Sequence, residues 1–213
     1  MQSAEQCEQS FREWKAGRSE GGTTFNMPDE ALAHLFLPPK LRILLPDTDI
    51  RFVSGVKTET NLCAVVADGK KFDYQYHYRW SEHLAKVNGD DYYMPYGGLL
   101  YVGAQINQID GRPALRINDL ELVDPLQRNG VCTEFYTRLR QELPPLGYWM
   151  TYGFNGEDNI DFFGRKLGRT ALNQVKPDLR SVLMPDRDID DEDFLQYYTF
   201  DFFDPKDAVR FRL

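Results

Sequence analysis

Apolar residues in the middle of the chain recur in short runs or at alternate positions, a pattern typical of β-strands. Strands are predicted at residues 61–67, 72–80, 99–108 and 115–123. Asp68-Gly69 and Asp110-Gly111 follow two of these strands. Both pairs predict hairpin turns, because Asp and Gly tolerate positive φ. The pattern therefore predicts an antiparallel meander that ends near residue 123.

A second pattern, with apolar residues three or four positions apart, predicts helices on both sides of the meander. The most regular helix spans 131–143, with an apolar stripe formed by Val131, Phe135, Leu139 and Leu143. Other helices are predicted at 3–16, from Pro28 to the Pro38-Pro39 pair, and at 155–168. Further strands are predicted at 41–45, 50–53, 148–154, 181–184 and 195–203.

Composition indicates one globular domain with an N-terminal extension. The 213 residues are 42% hydrophobic and 27% charged, values typical of globular proteins, and no run approaches the roughly 18 apolar residues of a membrane helix. The first residues lack the pattern of a signal peptide. Cys7, Cys63 and Cys132 are odd in number and far apart, which argues against a disulfide framework or a zinc site. We therefore expect a soluble cytoplasmic protein with no membrane contact.

The formal net charge of −8 opposes non-specific binding to nucleic acid, whose phosphates attract Lys and Arg. A basic or amine-bearing partner is favoured instead, although acidity alone also serves solubility. The acidic segment 186–193 lacks the glycine and the final glutamate of an EF-hand, so we interpret it as a solvated loop rather than a calcium site.

Residues Gln127–Thr133 lie where the strand ending at 123 gives way to the helix starting at 131. Gly130 in this segment exposes backbone N–H groups at a helix N-terminus, where unpaired donors and the helix dipole favour an anion such as phosphate. The segment is therefore a candidate phosphate site. The alternative is a tight turn without a ligand.

The motif Gln127-x-x-Gly130-x-Cys132 resembles the Gln/Arg-x-x-Gly-x-Gly/Ala signature of the GCN5-related N-acetyltransferase (GNAT) superfamily. Downstream, Phe162-Phe163-Gly164-Arg165-Lys166-Leu167-Gly168 resembles the end of the helix in the family's second motif. The resemblance covers about residues 100–185. It implies an α+β fold with a mixed, mostly antiparallel sheet flanked by helices, divided as an N-terminal helical extension at 1–45 and a GNAT-like domain at 46–213.

By this resemblance the chain is an N-acyltransferase that uses acetyl-CoA or another acyl-CoA, without a metal, to acylate an amine of a small molecule or protein. Two departures leave other interpretations open. Cys132 stands where the family has Gly or Ala, and Gly164 stands where it often has a general-acid tyrosine. The alternatives are a catalytically inactive GNAT-fold binding or inhibitory protein, and a nucleic-acid-base modifier, which the acidity disfavours. A homo-oligomer is also compatible with the sequence.

Two carboxylates are candidates for the general base. Asp119 and Glu121 lie two residues apart on one strand, so both side chains project from the same face. The resemblance implies a glutamate base on this strand, and Glu121 is preferred because it is nearer the splayed strand end where the family binds the thioester. The alternative is that both carboxylates face solvent.

The resemblance also assigns the cofactor contacts. Amides around Val123 would pair with the pantetheine arm, and the pyrophosphate would contact the loop residues Gln127, Arg128, Asn129, Gly130, Val131, Cys132 and Thr133. Asn159 would contact the cofactor from its other side. Tyr152, Cys132 and water are the candidates for the proton donor. His34, His77 and His83 do not converge on one site in the predicted elements.

Overall fold

The computed structural model describes residues 6, 8–10, 12–13, 29–57, 60–67, 84–87, 90–93, 99–142, 149–153, 161–184 and 192–213. The chain forms two compact units. The first comprises Met1–Gly103 and Leu120–Glu142, and the second comprises Ala104–Asp119 and Leu143–Leu213. The predicted boundary near residue 45 between an extension and a domain stays a prediction.

The first unit contains helices α1 to α3 and strands β1 to β4. Their bounds are α1 Asp29–Phe36, α2 Pro39–Leu44, β1 Ile50–Lys57, β2 Thr60–Ala67, β3 Leu84–Val87, β4 Asp90–Tyr93 and α3 Val131–Glu142. Strands β1 and β2 pair antiparallel over their full length, from Ile50 opposite Ala67 to Lys57 opposite Thr60. Strands β3 and β4 form a two-stranded antiparallel sheet. The described residues between 6 and 13 are also helical.

The second unit is built on a mixed sheet with neighbouring strands in the order β5-β6-β7-β9-β8. The bounds are β5 Leu100–Ile109, β6 Arg112–Leu122, β7 Trp149–Gly153, β8 Thr170–Ala171, α4 Pro177–Leu183, β9 Tyr198–Phe202 and α5 Pro205–Phe211. The first residues of β5 and the last of β6 belong to the first unit. Strands β6 and β7 are parallel, whereas β9 is antiparallel to both β7 and β8. The fold class is therefore α+β.

In the first unit, the apolar stripe of α3 packs against α1. Phe135 and Leu139 of α3 are fully buried, and the Phe135 ring lies 5.6 Å from the ring of Phe36 in α1, measured between centroids. Burial of each large apolar side chain is worth about 1.5–3 kcal/mol. Contacts of this kind, rather than helix propensity alone, hold α1 on α3.

The core of the second unit lies between β9 and helices α4 and α5. Its buried members are Ile109, Ala114, Leu172, Val175, Leu183, Met184, Leu195, Phe200, Phe202 and Phe211. The rings of Phe202 and Phe211 are stacked with 5.5 Å between centroids. Outside this core, Arg112 makes a two-bond ion pair with Asp207, with nitrogen-to-oxygen distances of 2.9 and 3.0 Å. This pair ties the start of β6 to α5.

Several sequence predictions are confirmed. Helix α3 begins at Val131 as predicted, and α1 ends at Phe36, just before the proline pair. Between β5 and β6, the two-residue turn has φ 54° at Asp110 and 73° at Gly111. Positive φ at both positions is the requirement that favours Asp-Gly in such a turn.

The predicted strand at 41–45 is wrong, because helix α2 begins at Pro39 and continues through Leu44. Pro38 is extended, with φ −63° and ψ 127°, and Pro39 occupies the first position of α2. There its missing N–H costs nothing and its fixed φ suits a helix. Leu41 and Leu45 are both buried. Their separation of four residues fits one face of a helical turn.

The predicted strand at 181–184 is wrong for a similar reason. Pro177 begins helix α4, which continues to Leu183. Short apolar runs do not distinguish a strand from a buried helical segment. The predicted strand at 195–203 is correct only in part, because residues 192–197 form a 3-10 helix before β9 begins at Tyr198.

Some predictions fall on residues that the structure does not describe. They are the turn at Asp68-Gly69, the strand at 72–80, most of the acidic segment 186–193, and the first part of the helix at 155–168. Within the described end of that helix, residues Asp161–Lys166 form a π-helical turn.

Candidate functional site

Strand β6 is joined to α3 by one 3-10 turn and a short loop, rather than directly. The N–H of Val123 donates to the carbonyl of Leu99 at 3.0 Å, and residues Asp124–Leu126 then form the 3-10 turn. The Leu126 N–H returns to the Val123 carbonyl at 3.0 Å. Both backbone groups of Val123 are therefore engaged, and a pantetheine contact from its N–H would have to displace the bond to Leu99.

The four residues 127–130, called here the Gly130 loop, have an unusual backbone. Arg128 has φ 61° and Gly130 has φ 80°. For a residue with a Cβ, such a conformation costs roughly 1–2 kcal/mol. A close-fitting set of other contacts must therefore hold Arg128 in place.

Two side chains of the loop supply those contacts. The Gln127 amide donates to the carbonyl of Leu122 at 3.0 Å and to the carboxylate of Asp124 at 2.8 Å. The Asn129 amide donates to the carbonyls of Pro125 and Gln127, at 3.3 and 3.0 Å. Gln127 and Asn129 thus shape the loop with their side chains, and a ligand contact from either would be made through other groups.

Helix α3 starts immediately after the loop. Its first intrahelical bond runs from the Glu134 N–H to the Gly130 carbonyl, at 3.0 Å. The N–H groups of Val131, Cys132 and Thr133 precede that bond, so they have no acceptor within the helix. Val131 is buried, whereas Cys132 and Thr133 are half-buried. The end of α3 that carries the positive part of the helix dipole therefore adjoins the Gly130 loop.

A lysine from α2 lies against this loop. The ammonium nitrogen of Lys40 is 3.0 Å from the position that a Cβ on residue 130 would occupy. Glycine at 130 thus satisfies two requirements, the positive φ and the close approach of the lysine. Lys40 places a positive charge beside the N-terminus of α3, where the dipole has the same sign. An anion at this place would be stabilised by both.

The backbone of Lys40 is fixed by α3 itself. Its N–H donates to a carboxylate oxygen of Glu134 at 2.8 Å. Glu134 therefore satisfies one of the first N–H groups of α2, in the manner of a helix cap from outside the helix. The N-terminal ends of α2 and α3 are therefore joined by a hydrogen bond from the Lys40 N–H of α2 to the Glu134 carboxylate of α3.

Sequence reasoning did not find Lys40. It is separated from Glu134 by 94 residues and lies between the Pro38-Pro39 pair and the strand predicted at 41–45. The only local signal was the Pro38-Pro39 pair, which is typical of a new helix start as well as of a helix end.

The predicted catalytic residues are distributed over both units. Glu121 is the penultimate residue of β6, is exposed, and belongs to the first unit with the Gly130 loop. Asp119 and Tyr152 belong to the second unit, on β6 and β7. Tyr152 is in register with Thr199 of β9. Asn159 lies outside the described residues. The roles predicted for these four residues stay predictions.

His34 is the one candidate histidine that the structure describes. It lies in α1 and contacts Arg138, two turns into α3, with 3.3 Å between Arg138 Nη2 and His34 Nε2. Burial first, and then the nearby Arg138 charge, lower the pKa of His34 below 6.5, while Glu142 acts in the opposite direction. Arg138 is eight residues from Gly130, about 12 Å along the helix. His34 therefore belongs to the packing of α1 on α3.

No family model matches this chain, and no curated protein matches it. Among the residues that the structure describes, no set of three or more His, Cys, Asp or Glu side chains is placed to hold a metal ion. In the same part of the chain, every helix is too short or too polar to cross a membrane.

Proposed function

We propose that this protein is an acyl-CoA-dependent N-acyltransferase with a GNAT-like fold, which transfers an acetyl group to an amine of a small molecule or protein. The supporting observation is the Gly130 loop, where two residues with positive φ, the first turn of α3 and the Lys40 ammonium come together. Acyl-CoA carries a diphosphate, and a helix N-terminus with an added cation is suited to such a group.

The strand arrangement around the loop gives further support. Strand β6 precedes the loop and α3, and β7 follows α3 and pairs with β6 in parallel, from Ala114 opposite Trp149 to Ile117 opposite Tyr152. The resemblance implies this chain order of strand, glycine loop, helix and strand. The mixed, mostly antiparallel pairing of the described strands is also in keeping with a GNAT-like sheet.

In the proposed reaction, Glu121 acts as the base. Glu121 is exposed at the end of β6, and in this reaction its carboxylate removes a proton from the acceptor ammonium. The free amine then attacks the thioester carbonyl carbon. A carbon–nitrogen bond forms, the carbon–sulfur bond breaks, and the departing thiolate takes a proton from Cys132 or from water. The extra proton on the acylated nitrogen then returns to Cys132 or to water, which leaves a neutral amide.

The role of Lys40 is tested by calorimetry with CoA and with pantetheine, which lacks the diphosphate. We expect Lys40→Gln to weaken CoA binding roughly tenfold, equal to about 1.4 kcal/mol, because one charge-assisted contact is lost. Pantetheine binding should not change. Arg42→Gln is the matched control, because Arg42 is an exposed cation on the same helix. If CoA at millimolar concentration neither binds nor raises the melting temperature of the wild type, the proposed function is wrong.

A second candidate function is a non-catalytic protein of the same fold that binds without transferring. Two observations favour it: the Val123 N–H is already bonded to Leu99, and Gly164 of the π-helical turn has no hydroxyl to serve as an acid. Turnover with Glu121→Gln and Asp119→Asn separates the candidates. An enzyme should lose about 10²–10⁴-fold in kcat when its base is neutralised, with CoA binding retained. A binding protein shows no turnover in the wild type.

A further inference from the structure

In addition to the apolar contacts between α1 and α3, one arginine of α3 makes two different polar contacts at the end of α1. Nη1 of Arg138 donates to the carbonyl of Leu37, just beyond the end of α1, at 3.0 Å. Nη2 lies 3.5 Å from Nδ1 and 3.3 Å from Nε2 of His34. All three residues are half-buried. One guanidinium therefore caps the last turn of α1 and also contacts its imidazole.

The imidazole lies among charges from two other segments, α3 and the helical residues near the N-terminus. On α3 it faces Arg138 and also Glu142, whose carboxylate oxygen is 4.0 Å from Nε2. The helical residues near the N-terminus add Glu8 and Arg12, which act on His34 with opposite signs and pair with each other. On α1 itself, the other titratable residues are Asp29 and Glu30, in its first turn.

We propose that His34 and Arg138 form a pH-sensitive latch, which holds the end of α1 on α3 while the imidazole is neutral and releases it when the imidazole is protonated. A neutral imidazole has one ring nitrogen that accepts a hydrogen bond from Arg138. An imidazolium has no acceptor, and its charge then lies 3.3–3.5 Å from a guanidinium nitrogen. The contact changes from attractive to repulsive.

Arg138 cannot move away from the imidazolium without consequence. Its other nitrogen holds the Leu37 carbonyl, so retreat of the guanidinium removes the cap on α1. Glu142 is placed to take over the protonated imidazole. On protonation, Glu142 thus replaces Arg138 as the partner of His34. The hydrogen bond from Arg138 to the Leu37 carbonyl is then lost.

The pKa of His34 agrees with this geometry. Burial and Arg138 lower it, and these effects exceed the opposing effects of Glu142 and Glu8. The folded protein therefore favours the neutral imidazole, which is the latched form. A decrease of one in the pKa raises the ratio of latched to released forms about tenfold at a given pH. The inference holds whether or not the Gly130 loop binds a phosphate.

The first test is an NMR titration of the His34 ring in the full-length protein. We expect a midpoint below pH 6.5, the ordinary value, in the wild type and a higher midpoint in Arg138→Gln. Arg140→Gln is the matched control on the exposed face of α3 and should leave the midpoint unchanged. A wild-type midpoint at or above the ordinary value, or equal midpoints in wild type and Arg138→Gln, would overturn the latch.

Hydrogen exchange gives a second test that does not depend on the arginine variant folding. Amides at the end of α1, Leu35 to Leu37, should exchange faster on acidification after correction for the intrinsic effect of pH. In His34→Gln, which keeps an acceptor but does not titrate, the additional acceleration should disappear. Persistence of the acceleration in this variant would show that another group causes the release.

Discussion

At the scale of single residues, Gly130 illustrates what a sequence shows and what it omits. The sequence indicates a glycine at a strand-to-helix junction, and the structure gives it φ 80°. Lys40, whose ammonium lies beside it, has no signature in the sequence. Its position depends on α2 and α3 meeting in the folded chain, which local propensity does not encode. The loop of the candidate site was therefore predictable, and its cation was not.

Substitution of three glycines separates backbone strain from contact with Lys40. We expect Gly130→Ala to destabilise the protein by about 1–2 kcal/mol, because of its positive φ, and to displace the Lys40 ammonium. Gly168→Ala shares a positive φ, 66°, but has open space at the Cβ position, and Gly164→Ala has open space and no positive φ. Urea unfolding measures all three. An equal, negligible effect in every variant would contradict the strain at residue 130.

At the scale of secondary structure, the elements that the sequence predicts best are those with a long apolar period. Helix α3 has such a period over its whole length, and its start was predicted to the residue. Helices α2 and α4 have six and seven residues. In so short a run, two or three apolar residues fit a strand as well as a helix. Burial of their apolar side chains in the two units decides the outcome, and this information is tertiary.

The ion pair between α5 and the start of β6 gives a prediction at this scale. Asp207 is buried and receives two hydrogen bonds from Arg112. Asp207→Asn removes the charge and leaves part of the guanidinium without an acceptor, so we expect a loss of about 1–3 kcal/mol in the free energy of unfolding. Asp178→Asn, an exposed position in α4, is the control. Equal unfolding midpoints for the two variants would show that the pair contributes nothing.

At the scale of the whole molecule, the chain consists of two compact units, each built from segments that are distant in the sequence. Each has its own apolar cluster, and each is closed by polar contacts between distant segments: Glu134 with Lys40 in the first, and Arg112 with Asp207 in the second. Composition and length indicated one ordinary domain. They contain no information on how a core is subdivided, because the division depends on which distant segments pack together.

The stability of the protein should depend on pH in a direction that His34 determines. Its pKa is lowered in the folded state from 6.5, so the unfolded chain binds the proton more readily. The contribution of the neutral imidazole is complete above pH 6.5 and decreases as the pH falls below it toward the folded pKa. The urea concentration at the unfolding midpoint should therefore decrease as the pH is lowered from about 7.5 to about 5.5. The decrease should be smaller in His34→Gln. An identical fall in both proteins would exclude His34 as the source.

The contact between Lys40 and Gly130 also has an evolutionary consequence. A side chain at residue 130 would occupy the space that the lysine ammonium now fills, so the two positions do not vary independently. In divergent copies of this chain, a non-glycine residue at 130 should accompany a shorter residue at 40. Where glycine persists at 130, a long basic residue at 40 has room to persist with it. Covariation between two positions 90 residues apart would then record this contact.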